Sequence, residues 1–387
     1  MDLQHLVVGV EDYTQQHLPH YLTELTTLCA IDSYSYYKPG LDEMATYLAA
    51  RMRGLGMDAT IVEREHEGND LLSSLRGDGQ GTILLIGHTD TVYPVGIATG
   101  RPARHEGNIL LGPGVSDMKG GILMGIHAIE ALLAQSYRSF REVRFLCVSD
   151  EETNSRHSKD IIEQACQHCD AAFVLEAARA NGDIVSARKG NAFYTLTARG
   201  RSAHAGVEPE KGRNAIVELA HQVLQFQSLN GWRKGVTVNA GTFTGGTAPN
   251  VVPDLAQVQF DLRFLRDQDR IATEQRWCEM MQQHQVADVE LSLTQAPDVK
   301  EPMEATPASL QLAERAQEIA QILGFPLKHI LTGGASDASY SSGYGIPTLD
   351  GLGPIGGHDH SPNEYLKVNS VAPRAALLAG LITSVGM

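Results

Sequence analysis

The chain is expected to be an α/β protein: a mainly parallel-sheet domain into which a smaller, ferredoxin-like α+β domain is inserted. Three observations predict this. Residues 82–86, 143–148 and 171–175 are short runs, apolar on both faces, as in buried strands of a parallel sheet. After Arg188-Lys189-Gly190 the pattern changes to the order β-α-β-β-α-β, a split unit of ferredoxin type. At 387 residues the chain is too long for one ordinary core, so two domains are the prior.

The elements follow in order. Residues 41–55 repeat apolar side chains at helical spacing, and Gly56 stops the run. The first buried run comes next, then a helix over 121–133, then the other two runs. After Arg188-Lys189-Gly190 the sequence predicts a strand over 192–198. An amphipathic helix over 213–227 is expected to turn Ile216, Leu219, Val223 and Leu224 to one face. A strand over 236–243 follows. Residues 256–264 alternate, with Ala256, Val258, Phe260, Leu262 and Phe264 on one side and Gln257, Gln259, Asp261 and Arg263 on the other. A helix over 269–284 and a strand over 289–293 complete the insert. The α/β pattern resumes with a helix over 310–323, ended by Gly324 and Pro326. A strand over 346–349 and a helix around 373–385 close the chain. The expected domains are 1–189 with 298–387, and 190–297 between them.

Composition narrows the function. The hydrophobic and charged fractions, 42% and 20%, are those of a globular chain. A formal net charge of −15 repels phosphate backbones and anionic membrane surfaces, so neither nucleic acid nor membrane is an expected partner. Met1-Asp2-Leu3-Gln4-His5 shows no basic region leading into an apolar core, and no window reaches the length of a membrane span. Five cysteines imply no disulfide framework. Cys166 and Cys169 make a CxxC around His168, but without a second pair it is read as structural. A reducing, cytoplasmic compartment is the expectation.

Each buried run ends in residues of the types that can ligate metals. The first leads into Gly87-His88-Thr89-Asp90, the second into Ser149-Asp150-Glu151-Glu152, and the third ends at Glu176. In open α/β sheets, function gathers at the carboxyl ends of strands. A loop containing Asp117 lies between the first two runs, and Gly356-Gly357-His358-Asp359-His360-Ser361 comes late in the chain. Any one of these residues is ordinarily a solvated or capping group, and Asp150 could simply cap a helix starting at Glu151. His5, His105 and His127 receive that bland reading. Repetition at strand ends is harder to dismiss. Of the adjacent carboxylates Glu151 and Glu152, one can ligate a metal while the other moves a proton. Asp90, two residues past His88, can support the imidazole from behind.

With these residues in view, the sequence resembles the zinc aminoacylase and carboxypeptidase family. That family includes glutamate carboxypeptidase, aminoacylase, acetylornithine deacetylase and succinyl-diaminopimelate desuccinylase. The resemblance lies in GHTDTVYP from Gly87, GPGVSDMKGG from Gly112, SDEETNS from Ser149, GRSAHAGVEPEKGRNAI from Gly200, GGTAPNVVPD from Gly245, TGGASDASY from Thr332 and HSPNEYL from His360. These motifs span nearly the whole chain in order. The resemblance implies two zinc ions per subunit, with cobalt or manganese as alternatives. It implies His88 and Glu176 as ligands of the first metal, Glu152 and His360 of the second, and Asp117 as the bridge. Glu151 would be the general base and Asp90 the carboxylate that orients His88. A cis peptide at Asp117-Met118 is also implied. His358 competes with His360, and the Glu four residues on, Glu364, favours His360.

The resemblance further implies a homodimer formed through the inserted lid, with His204 reaching a partner's site to stabilise the oxyanion. Asn250 and Arg263 would contact substrate, Arg263 gripping a carboxylate. Amides of Thr332, Gly333 and Gly334 could hold the same carboxylate. The implied activity is hydrolysis of an amide or peptide bond beside a free carboxylate. Glu rather than Asp at position 176 is closer to the glutamate carboxypeptidase and aminoacylase branches than to acetylornithine deacetylase, and the spacings from His88 through Glu176 resemble glutamate carboxypeptidase most, so release of a C-terminal or N-acylated amino acid such as glutamate is favoured. Deacylation of an N-acyl amino acid is the alternative. A catalytically silent metal-binding protein is the reading from another class, and the complete set of motif residues argues against it.

Overall fold

The structure is a computed structural model and describes residues 2–297 and 299–385. Met1, the expected boundary residue Asp298, and residues 386–387 lie outside the described residues. The chain forms two compact units. The larger comprises Met1–Ala187, Ala305–Leu331 and Ser336–Met387, and the smaller Arg188–Glu304 with Thr332–Ala335.

The larger unit is built on a six-stranded sheet. Its order is Asp58–Val62, Asp70–Arg76, Glu142–Val148, Thr82–His88, Ala171–Val174, Thr348–Leu349. The first two strands pair antiparallel, as do Asp70–Arg76 and Glu142–Val148. The remaining pairs are parallel, so the three buried runs lie side by side in the expected sense. Every residue of Thr82–His88 is buried, which explains a run apolar on both faces. Register matters most here. His88 is level with Val148, and Ile86 with Val174. The residues that follow, 149–152 and 175–176, therefore leave the sheet at the same edge as His88.

The helix Lys119–Ala134 packs against this sheet and is buried along most of its length. Two glycines at its start are needed for that approach. A Cβ on Gly121 would lie 1.9 Å from the Leu175 carbonyl oxygen, and one on Gly120 2.3 Å from that of Val115. Side chains such as Phe145 and Phe173, fully buried, contribute roughly 1.5–3 kcal/mol each to this core.

Strands Asp58–Val62 and Asp70–Arg76 were not read from sequence, and neither were two further features. Helices Leu3–Gln16 and Leu18–Cys29 open the chain, meeting at His17. Asp2 caps the first, its carboxylate accepting the Gln4 amide at 2.9 Å, and the first packs on the closing helix Val371–Ser384. A small antiparallel sheet joins Arg104–Glu106, Ile109–Leu111, Tyr365–Lys367 and Gly356–Gly357. It brings the loop after Leu111 beside the segment that carries His360.

The smaller unit has the expected ferredoxin-like arrangement. Its sheet runs Thr237–Gly245, Leu255–Phe264, Gly190–Arg199, Glu290–Gln295, antiparallel throughout. Helices Ala215–Gln227 and Asp267–Met280 cover one face. Phe226, Phe260 and Trp277 form its aromatic centre, with Phe226 and Trp277 stacked at 4.8 Å. The first helix departs from expectation. Its buried stripe is Ala215, Glu218, Leu219, Gln222 and Phe226, while Leu224 is 74% exposed. Two polar residues go inside: Glu218 is satisfied, and Gln222 is held through its amide nitrogen while its Oε1 has no partner among the described residues. Gln222 donates to Glu218 at 2.9 Å, and Glu218 accepts the amides of Gln285 and Val286 at 2.7 and 2.6 Å. No helix among the described residues is long and apolar enough to cross a membrane.

Candidate metal centre

His88 ends the central strand and is buried. Its Nε2 lies 2.9 Å from Asp117 Oδ1 and 3.7 Å from Glu176 Oε1. On the other side of Asp117, Oδ2 is 3.1 Å from Nε2 of His360, which is itself 3.1 Å from Glu152 Oε1. Five of the sequence-predicted residues thus form two trios, His88/Asp117/Glu176 and His360/Asp117/Glu152, that share Asp117. His88, Asp117 and Glu152 offer ligand atoms within 4.8 Å of one another. His358 does not join them; its ring stands edge-on to Tyr365 at 5.4 Å.

Asp90 is fully buried behind this cluster. Its backbone carbonyl is 3.0 Å from His88 Nδ1 and its carboxylate 3.3 Å. The same carboxylate accepts the amides of Glu151 and Glu152, at 3.1 Å each, and the Ser35 hydroxyl at 2.7 Å. One side chain therefore ties the end of the His88 strand to the turn bearing both glutamates. That turn is the 3-10 segment Glu151–Thr153. Asp150 does not cap it with its side chain; it accepts instead from the His157 amide at 2.7 Å and the Ser158 hydroxyl at 2.5 Å.

Glu364 was noted in the sequence only as a spacing marker. It is buried and holds the loop before Asp117, accepting the amides of Gly114, Ser116 and Asp117 and the Tyr93 hydroxyl. The Tyr93 oxygen also reaches the Ser361 carbonyl at 2.9 Å, next to His360. Lys119 was not picked out at all. Its buried ammonium donates to the Leu28 and Ile31 carbonyls at 3.0 and 2.9 Å, fixing the start of the helix that follows Asp117. The Asp117–Met118 peptide bond is cis. His127, read as bland, is a core residue bonded to Glu24.

The electrostatics fit a cation. Burial pushes Glu176 well above the carboxylate range and Glu152 up to about 7. Burial also opposes ionisation of Asp117, but the bonds from His360 and His88 outweigh it and hold its carboxyl low. Asp117 and Glu152 draw the His360 pKa up to about 11. Carboxylates crowd a buried space with too few positive partners, a strain that divalent cations relieve. Two donors on one tetrahedral ion, each about 2.1 Å away, lie about 3.4 Å apart. The observed separations of 2.9–3.7 Å bracket that value. Imidazole and carboxylate donors suit zinc, cobalt or manganese.

The other predicted residues belong to the smaller unit. His204 and Asn250 are exposed on two loops that pair: the Ala205 amide donates to the Asn250 carbonyl at 3.0 Å, and the Val252 amide to Ala203 at 2.9 Å. Arg263 is part-buried, with Asp261 bonded to its Nε at 3.0 Å. Thr332, Gly333 and Gly334 are held by the Lys189 amide, which donates to the Thr332 carbonyl, and by the Arg188 guanidinium, which donates to that of Gly334.

The chain is 28% identical over 378 residues to carboxypeptidase G2 of Pseudomonas sp. (strain RS-16), covering 95% of this chain and 90% of that one. It is 27% identical over 352 residues to succinyl-diaminopimelate desuccinylase of Dechloromonas aromatica (strain RCB), covering 85% and 90%. The solved structure of aminopeptidase PepT from Bacillus cereus ATCC 10987 has the same fold, with a TM-score of 0.82 at 24% identity, covering 96% and 99%. Residues 84–384 match Peptidase family M20/M25/M40. That match takes in His88, Asp117, Glu152, Glu176 and His360 together, and by it this chain belongs to peptidase family M20/M25/M40.

Proposed function

We propose that this M20-family metallohydrolase binds two zinc ions and removes a C-terminal amino acid such as glutamate from a peptide or related amide. The observation that carries this is the pair of trios sharing Asp117, with Glu151 next to the ligand Glu152. His88, Asp117 and Glu176 would hold one ion, and His360, Asp117 and Glu152 the other. When bound, the ions supply Lewis-acid activation of water and of the scissile carbonyl. Glu151 takes the proton of the attacking water and passes it to the leaving nitrogen. Asp90 keeps His88 and the Glu151 turn in register. His204 donates to the developing oxyanion. Arg263, Asn250 and the Thr332, Gly333 and Gly334 amides receive the substrate carboxylate.

The decisive variant is Glu151→Gln. Turnover should be abolished while metal content stays near that of the native protein. Near-normal activity would sink the assignment. A panel of C-terminal glutamyl peptides and acyl-amino acids reads the substrate, and inactivity on both groups would reject this reading.

Deacylation of N-acyl amino acids is the second reading, supported by the similarity to the desuccinylase. A homodimer formed by the smaller unit is also proposed. The support is its open edge strand Thr237–Gly245 together with exposed Leu224, Val217 and Phe243. Five free thiols support a reducing, cytoplasmic setting.

A further inference from the structure

Two neighbouring cations of the smaller unit, Arg263 and Lys189, carry unused donors. Arg263 lies directly opposite Asn191 in the pairing of Leu255–Phe264 with Gly190–Arg199. Directly paired residues share a sheet face, and so do residues two apart. Asp261, opposite Phe193, therefore stands on the Arg263 face, and Lys189 immediately precedes the strand that carries Asn191, close enough for the charge of Arg263 to act on it. The opposite face holds Ala192, Tyr194, Phe260, Leu262 and Phe264, all in the core.

Asp261 takes only the Nε of Arg263, which leaves Nη1 and Nη2 without a partner among the described residues. The Lys189 ammonium likewise has no acceptor among them. Burial and the charge of Arg263 both lower its pKa. Its backbone is fixed, since its amide donates to the Thr332 carbonyl at 3.1 Å, while Arg188 donates to Gly334 at 3.0 Å. Lys189 thus stands beside the Thr332–Ala335 loop, and Arg263, whose charge acts on it, belongs to the same unit.

We infer that Lys189 is a specificity-determining residue that reads a second carboxylate. A monocarboxylate would occupy the fork of Arg263 and leave the ammonium unpaired. A dicarboxylate, such as a glutamate- or aspartate-type residue, neutralises both. The favoured substrate therefore releases an amino acid with an acidic side chain. This rests on the reading above in which Arg263 and the glycine loop take the substrate carboxylate.

A matched pair of substrates tests it: N-benzoyl-glutamate and N-benzoyl-glutamine, nearly equal in shape and different in charge. The metal-loaded native enzyme should prefer the glutamate compound. Lys189→Met should lower the ratio of the two kcat/KM values by about 10- to 100-fold, the loss of a charge-assisted hydrogen bond, and Lys189→Arg should restore it. An unchanged ratio in Lys189→Met, or no preference in the native enzyme, overturns the inference. Failure to cleave either compound would count against the hydrolytic reading instead. Calorimetry with N-acetylglutamate and N-acetylglutamine then decides the matter alone: a binding preference lost in Lys189→Met supports the role, and no preference overturns it.

Discussion

Glu364 and Asp117 are joined through the backbone: Oε1 of Glu364 accepts the Asp117 amide at 3.0 Å, and Ser116 donates to the same oxygen at 2.9 Å. The other oxygen takes the Gly114 amide and the Tyr93 hydroxyl. A single buried carboxylate thereby sets where the shared residue of both trios can stand. Glu364→Ala should leave three buried amides without an acceptor. Metal affinity should fall about 10- to 100-fold, as for other groups that orient ligands from behind. Titration against a competing chelator measures it, and an unchanged affinity would reduce Glu364 to local packing.

Asp90 offers a sharper contrast. Its two oxygens accept the Glu151 and Glu152 amides, so both must be acceptors. Asp90→Asn keeps the size but turns one acceptor into a donor facing an N–H. The expected result is weaker metal binding and a lower kcat, with a smaller change in KM. Full activity with native metal content would show that the turn holds itself.

These two supports also show how far the sequence could be read. His88, Glu152 and Glu176 were legible because buried parallel strands are apolar throughout, so a polar residue at a strand end stands out. Asp117 and His360 sit in irregular loops, where no period marks them, and only the family motifs singled them out. Glu364 and Lys119 act through backbone amides and carbonyls, contacts that have no residue-type signature. The face of helix Ala215–Gln227 was misread for a related reason. Hydrophobicity favoured Leu224, but Glu218 and Gln222 go inside once Gln285 and Val286 supply amides to receive them. Strands of two or three residues, such as Gly356–Gly357, are too short to carry any pattern.

Acid stability should depend on Glu24. It accepts from Arg51 Nε at 2.9 Å and meets His127 Nε2 at 2.8 Å, linking helices Leu18–Cys29, Lys38–Gly54 and Lys119–Ala134. Burial alone would raise its pKa, but the His127 and Arg51 contacts prevail and lower it. A carboxyl with a depressed folded pKa stabilises above its unfolded value, and that contribution disappears as pH falls through the folded one. Glu24→Gln should therefore cost about 3–5 kcal/mol at neutral pH, the scale for breaking a buried pair. The gap between variant and native protein should narrow below about pH 4, where the native carboxyl also becomes protonated. Urea unfolding across that range is the measurement, and a gap that stays constant with pH would contradict the ionic role.

The proposed dimer can be tested at Leu224. The helix stripe that faces the core is complete without it, so its 74% exposure is not needed for folding the smaller unit. One exposed leucine alone would mean little. Beside it, however, Thr237–Gly245 is an edge strand with most of its residues exposed and Phe243 among them, a surface that monomers usually protect. A charge there should repel a second copy without disturbing the fold. Leu224→Glu is expected to leave the melting temperature of a dilute sample nearly unchanged and to weaken self-association by at least about tenfold, one desolvated charge being worth more than 1.4 kcal/mol. Sedimentation velocity over a concentration series reads the shift. If His204 works from a partner subunit, activity should decline with the dimer fraction, and His204→Ala in the native background should lose activity without losing mass. A native protein that sediments as a monomer at full activity would refute both the dimer and the crossing histidine.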